Sequence, residues 1–103
     1  MSAYLLTPLA TIDIFNIWTY IAEHSEAAAD RVEQAIYDAC EFLAEGPLRG
    51  HTRPDLTLRP LRFWTLSRYP NYTLAYLPGS APLQVIAVLH GKQNTRRILR
   101  QRR

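Results

Sequence analysis

Two amphipathic helical patterns separated by a two-residue connection constrain the fold of this chain more than any other feature. Apolar residues recur at three- and four-residue steps over residues 8–23, and the same spacing returns after Ser25 and continues until Gly46. Thr7, which is followed by a proline, is typical of a helix start, and Ser25 is a second N-cap. Because so short a connection folds the chain back on itself, we predict an antiparallel helical hairpin whose apolar stripes need a third surface.

Three strand patterns follow a loop rich in turn residues and supply that surface. The segments LRFWTL, YTLAYL and LQVIAVLHG are alternating or apolar, and the turns SRYPN and PGSAP separate them. The long third pattern is typical of a central strand, and AYLL near the N-terminus predicts a fourth strand. The predicted fold class is therefore α+β, with a helical hairpin packed on a small antiparallel sheet of three to four strands in the order β-α-α-β-β-β. Residues 1–103 are expected to form a single domain that ends in a short basic tail or helix over residues 91–103.

Charge is distributed very unevenly along the sequence. All nine acidic residues precede position 56, where only three arginines oppose them and the net charge is −6, whereas residues 56–103 hold no acidic residue and carry +9. So polarised a chain presents a positive face that attracts an acidic protein or a nucleic acid. The alternative interpretation of the last few arginines is a solvated basic tail.

The remaining composition argues against several classes of protein. No apolar run approaches the roughly 18 residues of a membrane span, and the N-terminus lacks the basic region of a signal peptide, so we expect a cytoplasmic protein. The one cysteine, Cys40, cannot form an internal disulfide and is expected to be a small buried hydrophobe. His24, His51 and His90 have no close-spaced metal ligands, and there is no glycine-rich phosphate loop, so we expect no metal, cofactor or small-molecule substrate.

Taken in order, four segments of the chain resemble one protein family. These segments are YLLTPLATIDIFNIWTYIAEHS, AADRVEQAIYDACEFLAEGPLRG, LRFWTLSRYPNYTLAYLP and VIAVLHGKQN, and together they cover nearly the whole sequence. They look like the ParE branch of the RelE/ParE family of toxins from bacterial type II toxin-antitoxin modules. The resemblance implies a small cytoplasmic toxin that inhibits DNA gyrase, contacts DNA indirectly through that target, and is neutralised by a ParD-like antitoxin wrapped around it.

The other branch of the family consists of ribosome-dependent ribonucleases that cut messenger RNA. Those members typically carry an arginine directly after the glycine-lysine pair and a tyrosine near the C-terminus, where this chain has Gln93 and Leu99. Glutamine brings no charge to a phosphate and leucine cannot transfer a proton, so the sequence favours a non-enzymatic toxin. A ribonuclease stays the alternative, and a module that binds nucleic acid directly is a third hypothesis. The residues that could replace the missing pair are His51, Arg62, Arg68 and His90.

His90 ends the last strand pattern and has two interpretations. It could be the general base of a ribonuclease, or its imidazole could tether the strand end by hydrogen bonds while Gly91 lets the chain turn. We expect the structural role.

Two sets of residues are the candidate binding sites. Arg62, Trp64 and Arg68 are candidate antitoxin contacts, because an acidic antitoxin would match the arginines and because either Phe63 or Trp64 must face away from the hairpin and form an exposed aromatic patch. Trp18 is expected in the core. The candidate target-binding residues lie in the basic C-terminal segment, whose cations folding does not explain and whose two apolar residues would add a small hydrophobic grip. They are Lys92, Arg96, Arg97, Ile98, Leu99 and Arg100.

Overall fold

The computed structural model describes residues 3–91 and 93–102, and its elements follow the predicted order. The helices of this part of the chain are α1 (Pro8–Ala22), α2 (Glu26–Glu45) and α3 (Thr95–Arg100). Its strands are β1 (Tyr4–Leu6), β2 (Arg62–Thr65), β3 (Tyr72–Leu77) and β4 (Leu83–His90). The predicted α+β arrangement is confirmed, and the basic C-terminal segment forms the short helix α3. Among the helices described, none has the length and apolarity that crossing a membrane requires.

The helical hairpin begins at the two caps that the sequence predicts. The Thr7 hydroxyl accepts a hydrogen bond from the Ala10 amide at 3.2 Å, and the Ser25 hydroxyl accepts one from the Ala28 amide at 3.1 Å. Each cap satisfies an amide that the first turn of a helix leaves unpaired. At the other end, α2 stops at Gly46. The predicted hairpin is confirmed, and α1 and α2 pack against each other over one face of the sheet.

The strands of the described chain form a mixed sheet in the order β1-β4-β3-β2. β4 pairs antiparallel with β3 on one side and parallel with β1 on the other, which confirms it as a central strand. The prediction of an antiparallel sheet is wrong for β1. The chain leaves β1, passes through the hairpin and the β2–β3 pair, and returns in the same direction alongside β1, as a parallel pair with a long crossover requires.

A bulge in β4 decides which side chains face each side of the sheet. The pairing with β3 shifts by one residue between Val85 and Ala87, so Ile86 has no opposite residue in β3. Val85 and Val88 pack beneath the hairpin, whereas Ile86 and Ala87 pack on the other face. Both faces of β4 are therefore buried, which explains its nearly continuous apolar sequence.

A second, smaller core covers the sheet face that points away from the hairpin. It consists of Leu61, Phe63, Ala75, Ile86, Ala87, Leu89 and Leu99. The predicted aromatic patch is wrong, because Phe63 is only 4% exposed in this core, while Trp64 faces the hairpin with its ring 5.3 Å from that of Phe42. Trp18 also differs from its prediction: it is half-buried at the hairpin surface, where its indole N–H donates to Asp30 at 2.9 Å.

Tyr76 fastens the loop after α2 to the sheet. Its hydroxyl donates to the Pro47 carbonyl at 2.6 Å and accepts from the Gly50 amide at 2.9 Å. A Cβ atom at position 50 would lie 2.6 Å from this hydroxyl and 2.8 Å from the Phe63 carbonyl, so only glycine fits there. His51 then pairs with Phe63 as an isolated bridge along the edge of β2.

Candidate functional site

The helix α3 is attached to the second face of the sheet by one buried side chain and one arginine. Leu99 is 1% exposed and packs in the smaller core. The Arg59 guanidinium donates to the Leu99 carbonyl at 3.1 Å and to the Arg102 carbonyl at 2.7 Å. These carbonyls lie at the C-terminus of α3, where a helix leaves acceptors unpaired and where positive charge is favourable. Arg59 is therefore used to hold the end of α3.

Arg102 connects the end of the chain to α1. Its guanidinium donates to both oxygens of Asp13, at 2.8 and 2.9 Å, and also to the Ile86 carbonyl at 3.0 Å. The Asp13 carboxylate accepts a further hydrogen bond from the Val88 amide at 3.0 Å. Both charged side chains are only 12% exposed. We call this arrangement the Asp13–Arg102 clasp.

The clasp supplies hydrogen-bond partners to backbone groups at the edge of β4, beyond the point where β1 ends. β1 pairs with β4 only as far as Val85, so the backbone groups of β4 beyond that point need other partners. The Ile86 carbonyl accepts from the Thr7 hydroxyl and from Arg102, and the Val88 amide donates to Asp13. The alternative interpretation of the last few arginines as a solvated basic tail is therefore wrong for Arg102. Arg102 has a folding role.

The arginines of α3 itself lie on its outer side. Arg97 and Arg100 are exposed, and in the described part of the chain their side chains have no hydrogen-bond or ion-pair partner. Arg96 is also exposed and donates from Nε to the Asp55 carbonyl at 2.8 Å. The pKa of Asp55 lies below its ordinary value, first because Arg53 donates to its carboxylate and to a smaller extent because of the charge on Arg96.

The predicted target-binding residues fall into two groups in the structure. Arg96, Arg97 and Arg100 form an exposed cationic surface, which we call the α3 arginine face. Leu99 and the half-buried Ile98 point into the smaller core instead, so their proposed role as a hydrophobic grip is replaced by one in attaching α3. Lys92, the remaining member of the predicted set, lies outside the described residues.

The predicted antitoxin contacts do not form one cluster. Arg62 donates to the Gly50 carbonyl at 2.8 Å and more weakly to the Leu48 carbonyl, so it supports the loop after α2. Trp64 is half-buried on the hairpin side, and Arg68 is exposed in the turn between β2 and β3. In the described chain, no hydrogen bond or ion pair joins these three side chains. Their assignment stays a prediction.

The outer face of α1 is an apolar surface that the sequence prediction missed. Leu9, Ile12, Phe15 and Tyr20 are 45%, 50%, 64% and 69% exposed, and helical geometry places them on the side opposite the buried stripe. Large apolar side chains that are exposed on one side of a helix commonly mark an interface. The signal was present in the sequence, because these four apolar residues lie outside the three- and four-residue spacing of the predicted stripe. We call this surface the α1 apolar face.

The two residues that stand in place of the ribonuclease pair have structural roles at the end of β4 and in α3. The backbone amide of His90 donates to the side-chain oxygen of Gln93 at 2.8 Å, so the Gln93 amide is used to fix the strand end. The His90 imidazole is half-buried and, among the described residues, makes no hydrogen bond. The predicted tether through the imidazole is therefore wrong, and Gln93 provides it. Leu99, which stands where the ribonucleases have a tyrosine, is buried.

Cys40 is a core residue, as the sequence predicts. Its side chain is fully buried, and burial raises the pKa of its thiol to about 12. The neutral thiol packs as a small apolar group and is not available as a nucleophile at ordinary pH. Within the described residues, no group of three metal-ligating side chains gathers closely enough to hold a metal ion.

The α+β fold, a helical hairpin on a four-stranded mixed sheet, is shared with a solved structure of a toxin-antitoxin system. A chain from the solved structure "Chromosomal ParDE TA system from P. aeruginosa" matches with a TM-score of 0.70 and 20% sequence identity, over 87% of this chain and 96% of that chain. At that identity the match establishes a shared fold. A comparison with the curated proteins finds no match.

The sequence itself establishes the family. The family model described as the ParE toxin of the type II toxin-antitoxin system, parDE, matches residues 4–95. The chain therefore belongs to the ParE toxin family.

Proposed function

We propose that this ParE-family toxin acts without catalysis, by inhibiting DNA gyrase, and is neutralised in the cytoplasm by a ParD-like antitoxin. The observation that carries the non-enzymatic part is the use of Gln93 and Leu99 for folding. One fixes the end of β4 and the other attaches α3 to the sheet. A ribonuclease would need a proton donor and a phosphate-binding cation at these two positions.

The α1 apolar face supports the antitoxin part of the proposal. Exposed apolar side chains that are grouped on one helix face commonly mark a protein interface. An amphipathic antitoxin segment would cover this face with its apolar side, and a separate acidic stretch of the antitoxin would match the positive half of the toxin. Trp64 and Arg68 extend the proposed contact toward the sheet, and Arg62 contributes charge while it holds the loop after α2.

The α3 arginine face supports the target part. Arg96, Arg97 and Arg100 project from a helix that the clasp and Leu99 hold in place, so the cations are presented from a fixed position. Gyrase with its bound DNA offers acidic groups that such a face attracts over a long range. Lys92 belongs to the same proposed contact.

Controlled expression of the toxin in bacteria that lack the antitoxin tests this proposal. Replication should stop first and the cells should grow into filaments, while messenger RNA stays intact. His90→Gln should stay toxic and lose less than about 1 kcal/mol of stability, because the imidazole makes no hydrogen bond to any described residue. Immediate loss of protein synthesis with cleaved messages would contradict the proposal. So would a folded, antitoxin-binding His90→Gln variant that is no longer toxic.

A further inference from the structure

We propose that the α3 arginine face binds the phosphate backbone of duplex DNA directly. The starting observation is how the arginines of the basic half are used. Arg59 and Arg62 donate to backbone carbonyls, and Arg102 is paired with Asp13. These guanidiniums are explained by folding. Arg97 and Arg100 on α3 and Arg68 in the turn between β2 and β3 are not, since their side chains have no partner among the described residues, and only the first two lie next to each other on one helix.

The helix itself explains only part of the charge on α3. Successive residues of a helix are about 100° apart, so Arg96, Arg97 and Arg100 fall within an arc of about 100° on its surface. Arg96 and Arg100 are four residues apart, and like charges at that spacing destabilise a helix. The side chains on the remaining arc, Ile98 and Leu99, face the sheet. Positive charge is favourable in the last turn of α3, but the helix does not require three exposed guanidinium groups on one face, and an anionic partner would explain them.

The composition of the two exposed surfaces separates a protein partner from a phosphate partner. Protein interfaces centre on apolar and aromatic anchors, and the α1 apolar face has them. The exposed surface of α3 has none, because both of its apolar residues point inward. Guanidinium groups are suited to phosphate, since their planar N–H donors match two phosphate oxygens at once. The α3 arginine face therefore fits a nucleic-acid backbone better than an acidic protein.

The charge distribution of the whole molecule orients this face toward a polyanion. α1 and α2 cover one face of the sheet and α3 packs against the other. The exposed side of α2 carries most of the acidic residues. DNA would be repelled from the hairpin side and attracted to the α3 side, which favours one orientation on approach.

Binding of the purified full-length protein to a short fluorescein-labelled DNA duplex tests the inference, and the readout is fluorescence anisotropy over a range of salt concentrations. Three phosphate contacts contribute a slope of about −2.7 to a plot of log K against log salt. Arg97→Gln should reduce the magnitude of the slope by about 0.9, and Arg97→Gln combined with Arg100→Gln by about twice that. Circular dichroism should show both variants folded, since neither side chain has a partner to lose among residues 3–91 and 93–102.

Arg31→Gln is the matched control, because Arg31 is an exposed arginine on α2 and the variant loses the same charge. Its slope should equal that of the unchanged protein. A control slope that falls as much as that of Arg97→Gln would overturn the inference, and so would a lack of duplex binding at low salt. Equal binding to a polyglutamate peptide, with the same loss in the Arg97→Gln variant, would overturn the assignment to phosphate and indicate an acidic protein partner. The assay contains no gyrase, so its outcome is independent of the proposed target.

Discussion

The Asp13–Arg102 clasp should contribute measurably to stability, although it joins residues near opposite ends of the chain. Arg102→Met removes the guanidinium and leaves the Asp13 carboxylate 12% exposed, with the Val88 amide as its remaining hydrogen-bond donor. Removing one partner of a fully buried ion pair costs about 3–5 kcal/mol. Because both side chains keep some contact with water, we expect about 2–3 kcal/mol here. In a domain of this size, that loss should lower the melting temperature by about 10 °C or more.

The assay is equilibrium unfolding in urea. The free energies of unfolding can be compared when the variants have the same slope of free energy against urea concentration. Arg53→Met is the matched control, because it breaks the ion pair between Arg53 and Asp55. The side chain of Arg53 is 50% exposed and that of Asp55 is 55% exposed. Water screens such a pair, so the control should be close to neutral. Both variants remove an arginine that donates to both oxygens of an aspartate, and they differ in the burial of the pair and in the hydrogen bond from Arg102 to the Ile86 carbonyl. If Arg102→Met destabilises no more than Arg53→Met, the clasp does not hold α3 and the reasoning from burial is wrong.

The remaining predictions concern the α1 apolar face, the antitoxin contacts and the buried thiol. Phe15→Ser should weaken antitoxin binding, measured by calorimetry, without lowering the melting temperature. The control is Leu58→Ser, which should leave binding unchanged. Leu58 is an apolar residue in the loop before β2 and is 93% exposed. Arg68→Glu should slow association with the antitoxin and weaken the salt dependence of association. Arg62→Glu should have the same effects and should also reduce stability, because the Gly50 carbonyl loses its hydrogen-bond donor. Association rates that are unchanged in both variants would contradict the proposed charge match. Cys40 should resist iodoacetamide in the folded protein at pH 8 and should react in urea. Because the pKa of its thiol rises from 9.0 to about 12 on folding, its contribution to stability should be complete below pH 9 and should decrease as the pH rises toward 12.

The parts of the fold that depend on local sequence could be predicted. The helix caps at Thr7 and Ser25 are each satisfied by an amide three residues away, so the signal and its partner are neighbours in the sequence. The central position of β4 follows from burial on both faces, which makes its sequence almost continuously apolar.

The parts that depend on distant contacts could not be predicted. Asp13 and Arg102 are 89 residues apart, and neither position carries a local pattern that indicates the pair. Phe63 is buried because Leu99 and the loop before β2 cover a sheet face that the sequence patterns predict to be exposed. Once α3 lies on that face, the basic segment divides into arginines that fold the protein and arginines that remain free. Charge counting alone cannot separate the two groups.

The supercoiling activity of purified gyrase in the presence of this protein tests the central claim most directly. The toxin should inhibit supercoiling in proportion to its dose, and prior addition of the antitoxin should restore it. The same preparation, incubated with translating ribosomes and a defined message, should leave the message uncut by primer extension. The account would be contradicted if the ribosome-bound message is cleaved and gyrase activity stays unchanged at the highest dose. That result would assign the protein to the ribonuclease branch of the family.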